Sequence, residues 1–245
     1  MSNSLICSPI IFLLDEVKLI VFLNKLMHME IYQQPYHWML STGYRELYNL
    51  RSEIVLELAK EGMCYRWLDI GCGDGKFTSS IKGIAKVVVG IDISEPGLLF
   101  ARCLVPEVKF CLMDSSKMAF PDSTFDVVSC LDVLEHLSQQ KLEKTLNEMH
   151  RVLKDDGALI ISVPSKNKPL ESKHYRHFDS KEISNVMKPL FTPVKLVGCG
   201  KYYPLIKYLF NMPKICKIAI GLVVKKCHPD DSFTIVAKLA KNKLR

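Results

Sequence analysis

The stretch Cys64–Gly75, C-Y-R-W-L-D-I-G-C-G-D-G, constrains the fold more than any other part of this 245-residue chain. Tyr65–Ile70 has the length and apolar character of a buried strand, with one carboxylate, Asp69, near its carboxyl end. Gly71, Gly73 and Gly75 follow at alternate positions, so the backbone there can adopt positive φ and approach a ligand closely. Lys76–Ile81 then restarts with helix formers. A glycine loop between a strand and a helix N-terminus is where an α/β sheet receives a nucleotide-like ligand.

Two ligand classes use such a loop. A dinucleotide fingerprint needs glycine at the sixth position, where this chain has Lys76. Asp69 would repel a pyrophosphate but can hold an ammonium group. A ligand with a cationic end therefore fits better.

The pattern D-x-G-x-G-x-G over Asp69–Gly75 resembles the first motif of class I S-adenosylmethionine-dependent methyltransferases. Val87–Ile91 is a β-branched run ending in Asp92, 21 residues after Gly71. Asp114 follows a third apolar run, Val108–Met113, and Phe120–Leu137 is similar to the family's fourth-strand segment. The resemblance covers roughly residues 36 to 240, with its pieces in the family's order.

It implies a doubly wound, Rossmann-like α/β fold with helices on both faces. The sheet would have seven strands in the order 3-2-1-4-5-7-6, the last antiparallel. The domain would occupy 36–245, preceded by an apolar or amphipathic extension at 1–35 and carrying a basic amphipathic insert at about 202–228. The implied cofactor is S-adenosylmethionine. Asp69, Gly71, Cys72, Gly73 and Gly75 would take its methionine end, Asp92 the ribose hydroxyls and Asp114 the adenine amino group. Ile93 and Ser115 would be adjacent contacts, and Leu131 would lie beneath the cofactor.

Candidates for the chemistry fall in two clusters. Asp132, Glu135 and His136 form D-x-x-E-H, similar to the segment of ubiquinone-biosynthesis O-methyltransferases whose acids and histidine hold a divalent ion. His136 acting alone as a base, or a purely structural role at the start of the next helix, are the other readings. His174, Arg176 and His177 lie in the polar stretch after a fifth strand at Ala158–Val163. A histidine there could face the acceptor and Arg176 an anionic group, or the loop could simply be solvated.

Flanking helices are legible by period. Leu47, Leu50, Ile54 and Leu58 mark one helix, with Ser41 or Thr42 as its cap. Tyr36, His37, Trp38 and Arg45 beside it would line a lid over the methionine end, or serve packing and solvation alone. Leu142, Leu146, Met149 and Leu153 mark another helix, capped by Ser138 and closed by Gly157. Val194–Val197 and Ser232–Ala237 supply the last two strands.

Charge and cysteine usage narrow the class further. The net charge is +7, yet the chain from Lys201 onward carries ten basic residues against Asp230 and Asp231, leaving the first 200 residues at −1. An evenly basic nucleic-acid-binding body is not what this distribution gives. Nine cysteines, none spaced C-x-x-C, read as reduced thiols of a cytoplasmic protein. Leu5–Leu26 is apolar, but Asp15, Glu16 and Lys18 interrupt every window long enough to cross a bilayer, and no basic residue precedes it as a secretory signal requires. Met27 and Met29 are alternative starts. Lys214, Lys217 and Lys225 lie on one face of the insert beside Ile215, Ala219, Leu222 and Val223, which suits peripheral contact with an anionic membrane or, alternatively, a cap on the sheet edge. The expected function is methyl transfer to a small-molecule or lipid-linked acceptor, at oxygen. A nicotinamide-dependent oxidoreductase and a non-catalytic S-adenosylmethionine-binding protein are the alternatives.

Overall fold

The computed structural model describes residues 34–40, 42–59, 65–201 and 225–242. The extension before residue 34 and most of the basic insert, residues 202–224, lie outside them, as does Ser41. The described chain forms one sheet whose apolar runs are strands because both faces are covered. Its elements are α1 (Thr42–Ala59), β1 (Arg66–Ile70), α2 (Lys76–Ile81), β2 (Val87–Asp92), α3 (Glu95–Leu104), β3 (Lys109–Leu112), β4 (Phe125–Leu131), α4 (Gln139–Val152), β5 (Leu153–Pro164), α5 (Ser180–Met187), β6 (Phe191–Lys201), β7 (Lys226–Cys227) and β8 (Ser232–Lys241).

The strand order is β3-β2-β1-β4-β5-β8-β6-β7. Strands β1 to β5 pair in parallel, and β8 runs antiparallel between β5 and β6. The expected sheet is thus present with an eighth strand added. Lys226 and Cys227 pair with Cys199 and Gly198 at the far edge, so the end of the segment assigned to a basic insert is a short edge strand.

Side-chain alternation along β1 shows how the layers are assigned. Trp67 points to α1 and α2, packing with Ile54, Val55, Leu58, Phe77 and Ile81. Leu68 and Ile70 point to the other face, where α4 and α5 deliver Leu142, Leu146, Met149, Ile183 and Met187. Each fully buried Leu or Ile contributes about 2 kcal/mol, so both helical layers are held mainly by this apolar seam. Buried Trp67 also donates its indole N–H to Ser129 Oγ at 2.9 Å, leaving no unmet donor.

Helix α4 departs from expectation at both ends. Ser138 stands at its N-cap, but its hydroxyl makes no capping bond; only its carbonyl accepts, from Leu142 N at 2.9 Å. Leu153 is the first residue of β5, opposite Phe125, and not the last core position of the helix. Gly157 therefore caps nothing. A side chain there would meet Leu153 Cδ1 at 2.7 Å and the Asp126 carbonyl at 2.9 Å, so glycine permits β5 to lie close against β4. The six described cysteines form no disulfide with one another. Among the described residues no helix is long and apolar enough to cross a membrane.

Candidate active site

A cavity of about 680 Å3 opens where β1 to β4 end. This is a position that parallel order dictates, since the strands' carboxyl ends splay around the turn at the centre of the sheet. Gly71, Gly73 and Gly75 all have positive φ, at 74°, 53° and 78°. Gly71 N and Cys72 N donate to the Ile91 carbonyl at 2.8 and 3.1 Å, fixing the loop to β2. Asp92 completes that attachment. One carboxylate oxygen accepts from Gly73 N at 2.8 Å and the other from Ser94 N at 2.7 Å, and burial pushes its carboxyl above the usual range.

Asp69 sits beneath the loop, 2% exposed. Thr78 and Ser129 donate hydroxyl bonds to its two oxygens at 2.6 and 2.7 Å, yet burial still raises its pKa to about 6. Cys72, Ile93, Leu131 and Asp114 line the same cavity. Asp114 accepts from Ser116 N and Oγ and pairs with Lys141 at 3.1 Å. Ser115 lines the cavity too, but its hydroxyl is shared with Thr145 at 3.1 Å and points into the protein, so its side chain is not free for an adenosine.

The residues before α1 form a strap across the loop. Tyr36–Met39 is a 3-10 turn whose His37 N and Nδ1 meet the Asp74 carboxylate at 2.7 and 3.0 Å. Trp38 donates its indole N–H to the Asp74 carbonyl at 3.1 Å, and Lys76 Nζ lies 4.1 Å from the indole centroid. Of the four residues of the lid reading, Tyr36 and His37 line the cavity, whereas Trp38 and Arg45 do not; α1 supplies Tyr48 and Arg51. The Arg51 guanidinium stacks 4.6 Å from the Tyr48 ring centroid and pairs with Asp132.

That pair alters the reading of D-x-x-E-H. Asp132 has φ 53°, and its carboxylate accepts from Arg51 on one oxygen and from Ser162 Oγ, at 2.8 Å, on the other. Although burial works against it, the Arg51 cation holds this carboxyl below the usual range. With both oxygens engaged, Asp132 does not fit as a metal ligand, and the expected set of Asp132, Glu135 and His136 is not assembled. Glu135 is 1% exposed, and burial, reinforced by the Asp132 charge, pushes its carboxyl well up.

His136 lines the cavity, with Nδ1 3.2 Å from the Lys173 carbonyl, and burial lowers its pKa. His174 and His177 do not line it. His174 Nδ1 lies 2.8 Å from His177 Nε2, and His177 Nδ1 lies 3.1 Å from the Lys168 carbonyl, so the two rings are turned on each other beneath the loop. Burial and the neighbouring His136 push His174 down to about 4. Arg176 binds Gln139 Oε1 at 2.6 Å and the Leu137 carbonyl, and so is not offered to an anionic acceptor. The polar loop reaches the cavity through Lys173 and Tyr175 instead, the latter donating its backbone N–H to the Glu135 carbonyl at 2.8 Å.

A glycine loop clamped by a second-strand carboxylate, at the centre of a parallel sheet under a strap, defines an α/β protein built to enclose a nucleoside-bearing cofactor. Residues 68–161 match the methyltransferase domain family, and the strand order around them is the one expected of a class I methyltransferase sheet with an eighth strand added. A probable S-adenosylmethionine-dependent methyltransferase of Mycobacterium tuberculosis is 28% identical over 127 residues, 49% of this chain and 46% of that protein. A ubiquinone biosynthesis O-methyltransferase of Glaesserella parasuis is 32% identical over 111 residues, 39% of this chain and 43% of the other. The chain thus spans just under half the length of these relatives. Among solved structures, the N-methyltransferase NodS of Bradyrhizobium japonicum, in complex with S-adenosyl-L-homocysteine, superposes with a TM-score of 0.66 at 15% identity. That match covers 90% of this chain and 100% of NodS, and establishes likeness of fold. The dinucleotide reading gains no support from any of these.

Proposed function

We propose that the chain transfers a methyl group from S-adenosylmethionine to an oxygen of a small-molecule or lipid-linked acceptor. The observation that carries this is the continuity of one cavity from the glycine loop, past Asp92, Asp114 and Arg51, to a second region lined by Tyr36, Tyr48, His136, Lys173 and Tyr175. The first region suits the cofactor and the second an acceptor. The Arg51 Nε, buried and without an acceptor among the described residues, is placed to receive the cofactor's carboxylate. The sulfonium already activates the methyl group, so the protein's work is to align an acceptor with the S–CH3 bond and exclude water. The Lys173 carbonyl can only accept, so it fixes the hydrogen of neutral His136 on Nδ1 and leaves an electron pair on Nε2. With no cation on Nε2, an acceptor hydroxyl would lie against that group.

Asp92→Ala tests the cofactor half. It removes a charged acceptor for the ribose and frees Gly73, and each such bond contributes roughly 1.5–3 kcal/mol. Calorimetry is expected to show S-adenosylmethionine binding at least about tenfold weaker. A change below about twofold would place the nucleoside elsewhere. Methyl release from labelled cofactor into a panel of hydroxyl and amine acceptors then tests the oxygen assignment.

Asp69 gives the binding a pH dependence. In the free protein its carboxyl titrates at about 6, and the cofactor's ammonium group favours the charged form. Binding therefore releases a proton below neutrality, and affinity is expected to fall about tenfold between about pH 7 and about pH 5. The sign for folding is opposite: the raised pKa means that Asp69's contribution to stability is present at low pH and lost as pH rises through about 6. A cofactor affinity that does not change over this range, measured by calorimetry, would remove Asp69 from the ammonium site.

The basic segment suits an anionic membrane surface, where each lysine contributes about 1 kcal/mol, screened by salt. Lys226 is engaged with Glu57, which leaves Lys214, Lys217 and Lys225 as the cations to test. Salt-sensitive sedimentation with anionic vesicles, lost when these three become glutamine, is the expected result. Equal recovery with neutral vesicles would argue against it.

A further inference from the structure

Glu135, His136 and His174 stand together at the edge of the cavity, and one ligating atom from each lies within 4.8 Å of the others. We infer that this triad, with His174 in the place of Asp132 of D-x-x-E-H, is a binding site for a divalent first-row transition metal such as Zn2+. The inference goes beyond methyl transfer and does not depend on it.

The first support is an oxygen with nothing to bind. Glu135 is 1% exposed, and its Oε2 has no hydrogen-bond partner among the described residues. Buried carboxylate oxygens are almost always met by a donor or a cation, because leaving one unmet is costly.

The second is the state of the two imidazoles. As for His136, the hydrogen on His177 must lie on Nδ1, because its neighbour there is the Lys168 carbonyl. His177 Nε2 then accepts, so the hydrogen in the 2.8 Å contact belongs to His174 Nδ1, and His174 also keeps its electron pair on Nε2. Two carbonyls, one of them acting through His177, thus set both rings in the form that ligates through Nε2. Outer support of this kind is characteristic of metal-binding histidines.

The third is that the backbone already joins the two ligand-bearing segments. Glu135 and His136 share the 3-10 turn Leu134–His136. Tyr175 N, next to His174, donates to the Glu135 carbonyl at 2.8 Å, and His174 N donates to the Glu171 carbonyl at 2.9 Å. The rings of His136 and His174 pack edge to face, with centroids 4.5 Å apart.

Two imidazoles and one carboxylate select among cations. Mg2+ prefers an all-oxygen shell, whereas this set suits Zn2+, Co2+ or Ni2+. Ligand atoms around tetrahedral zinc stand roughly 3.3 Å apart, so the three groups, now within 4.8 Å of one another, would draw together around the ion. The Glu171 carboxylate, 3.9 Å from His174 Nε2, is within reach as a further ligand. A cation here would also withdraw the His136 Nε2 electron pair from proton transfer, so the metal site and a histidine base exclude each other.

The test reads metal binding with no methyl transfer involved. The full chain, freed of any histidine tag and stripped with chelator, is titrated with Co2+ and followed by visible d–d absorption. One saturable equivalent is expected, displaced by Zn2+ and unaffected by excess Mg2+. His174→Ala should weaken Co2+ binding at least about tenfold, with His174→Gln as the second variant should alanine disturb the fold by circular dichroism. Asp132→Asn should leave it within about twofold. Absence of saturable absorption, competition by Mg2+ as strong as by Zn2+, or an affinity that follows Asp132 and ignores His174 would each overturn the site. Any of these leaves the cofactor-binding tests above untouched, so the two proposals fail separately.

Discussion

Gly71→Ala is expected to abolish cofactor binding, by at least about a hundredfold, and to destabilise the fold by about 3 kcal/mol. Two independent costs act at this position. The backbone is at φ 74°, where an L side chain adds roughly 1–2 kcal/mol of strain. A Cβ would also stand 2.2 Å from Val133 Cγ2, far inside contact distance. Val133 cannot yield easily, because a β-branched side chain has one strongly preferred rotamer and this one packs against the core beneath α4. The loop must move instead, which breaks the bonds from Gly71 N and Cys72 N to Ile91 and displaces the atoms that face the ligand. The double variant with Val133→Ala separates the two costs, since it removes the collision and keeps the strain. Calorimetry with S-adenosylmethionine and urea unfolding read the two effects. Wild-type affinity in the single variant would show that the cofactor does not approach this turn.

Asp132→Ala should destabilise the protein by about 3 kcal/mol, and Arg51→Met by clearly less. The asymmetry follows from exposure. The Arg51 side chain is 11% exposed, its Nε has no acceptor among the described residues, and Asp132 is its counter-ion; removing the acid strands a buried cation. The Asp132 side chain is 40% exposed toward the cavity and keeps the Ser162 hydroxyl, so losing Arg51 leaves a carboxylate that water can reach. Asp132→Asn is expected to cost little, because asparagine still accepts from Arg51 and tolerates a φ of 53°. For a chain of this size the alanine variant should melt roughly 6–12 °C lower. Equal losses in the two variants would show that the pair is solvated on both sides.

Much of the sheet was legible because its central strands are covered on both faces and read as unbroken apolar runs. Val87–Ile91 is of this kind, whereas Phe125–Leu131, interrupted by Asp126 and Ser129, was placed by its motif, and the glycine turn after Ile70 marked the expected place of the ligand. Leu153 shows why boundaries were harder. It continues the spacing of Leu142, Leu146 and Met149 and is fully buried, so periodicity places it on the helix, while pairing with Phe125 takes it into the sheet. Strand β7 has only two residues, Lys226 and Cys227, and carries no period at all. Of the residues named from motif spacing in the loops after strands, Gly71, Cys72, Asp92, Ile93, Asp114 and Ser115 line the cavity, and Gly73 and Gly75 do not. Arg51 was missed because it lies beside the apolar stripe of α1, although an arginine flanked by Tyr48 and Val55 is the signal of a buried cation. Nor could the order H-Y-R-H reveal that His174 and His177 would be turned on each other while Tyr175 and Lys173 faced the cavity. That choice is set by the carbonyls of Lys168, in the same polar loop, and of Glu135, far from the motif in the chain.

The strap over the glycine loop makes the protein its own optical reporter. The chain has two tryptophans. Trp67 is sealed in the core at 0% exposure with its indole N–H bound to Ser129, so its emission is a constant background in any state that keeps the fold. Trp38 sits on the strap, beneath the Lys76 ammonium and hydrogen-bonded to the backbone of the ligand loop, where a cation near the ring shifts the indole's excited state. A change in tryptophan emission, excited where tyrosine does not absorb, on adding a ligand to the native protein is therefore expected to originate at Trp38. The rate at which it appears times the seating of the strap, with no label attached and no product formed.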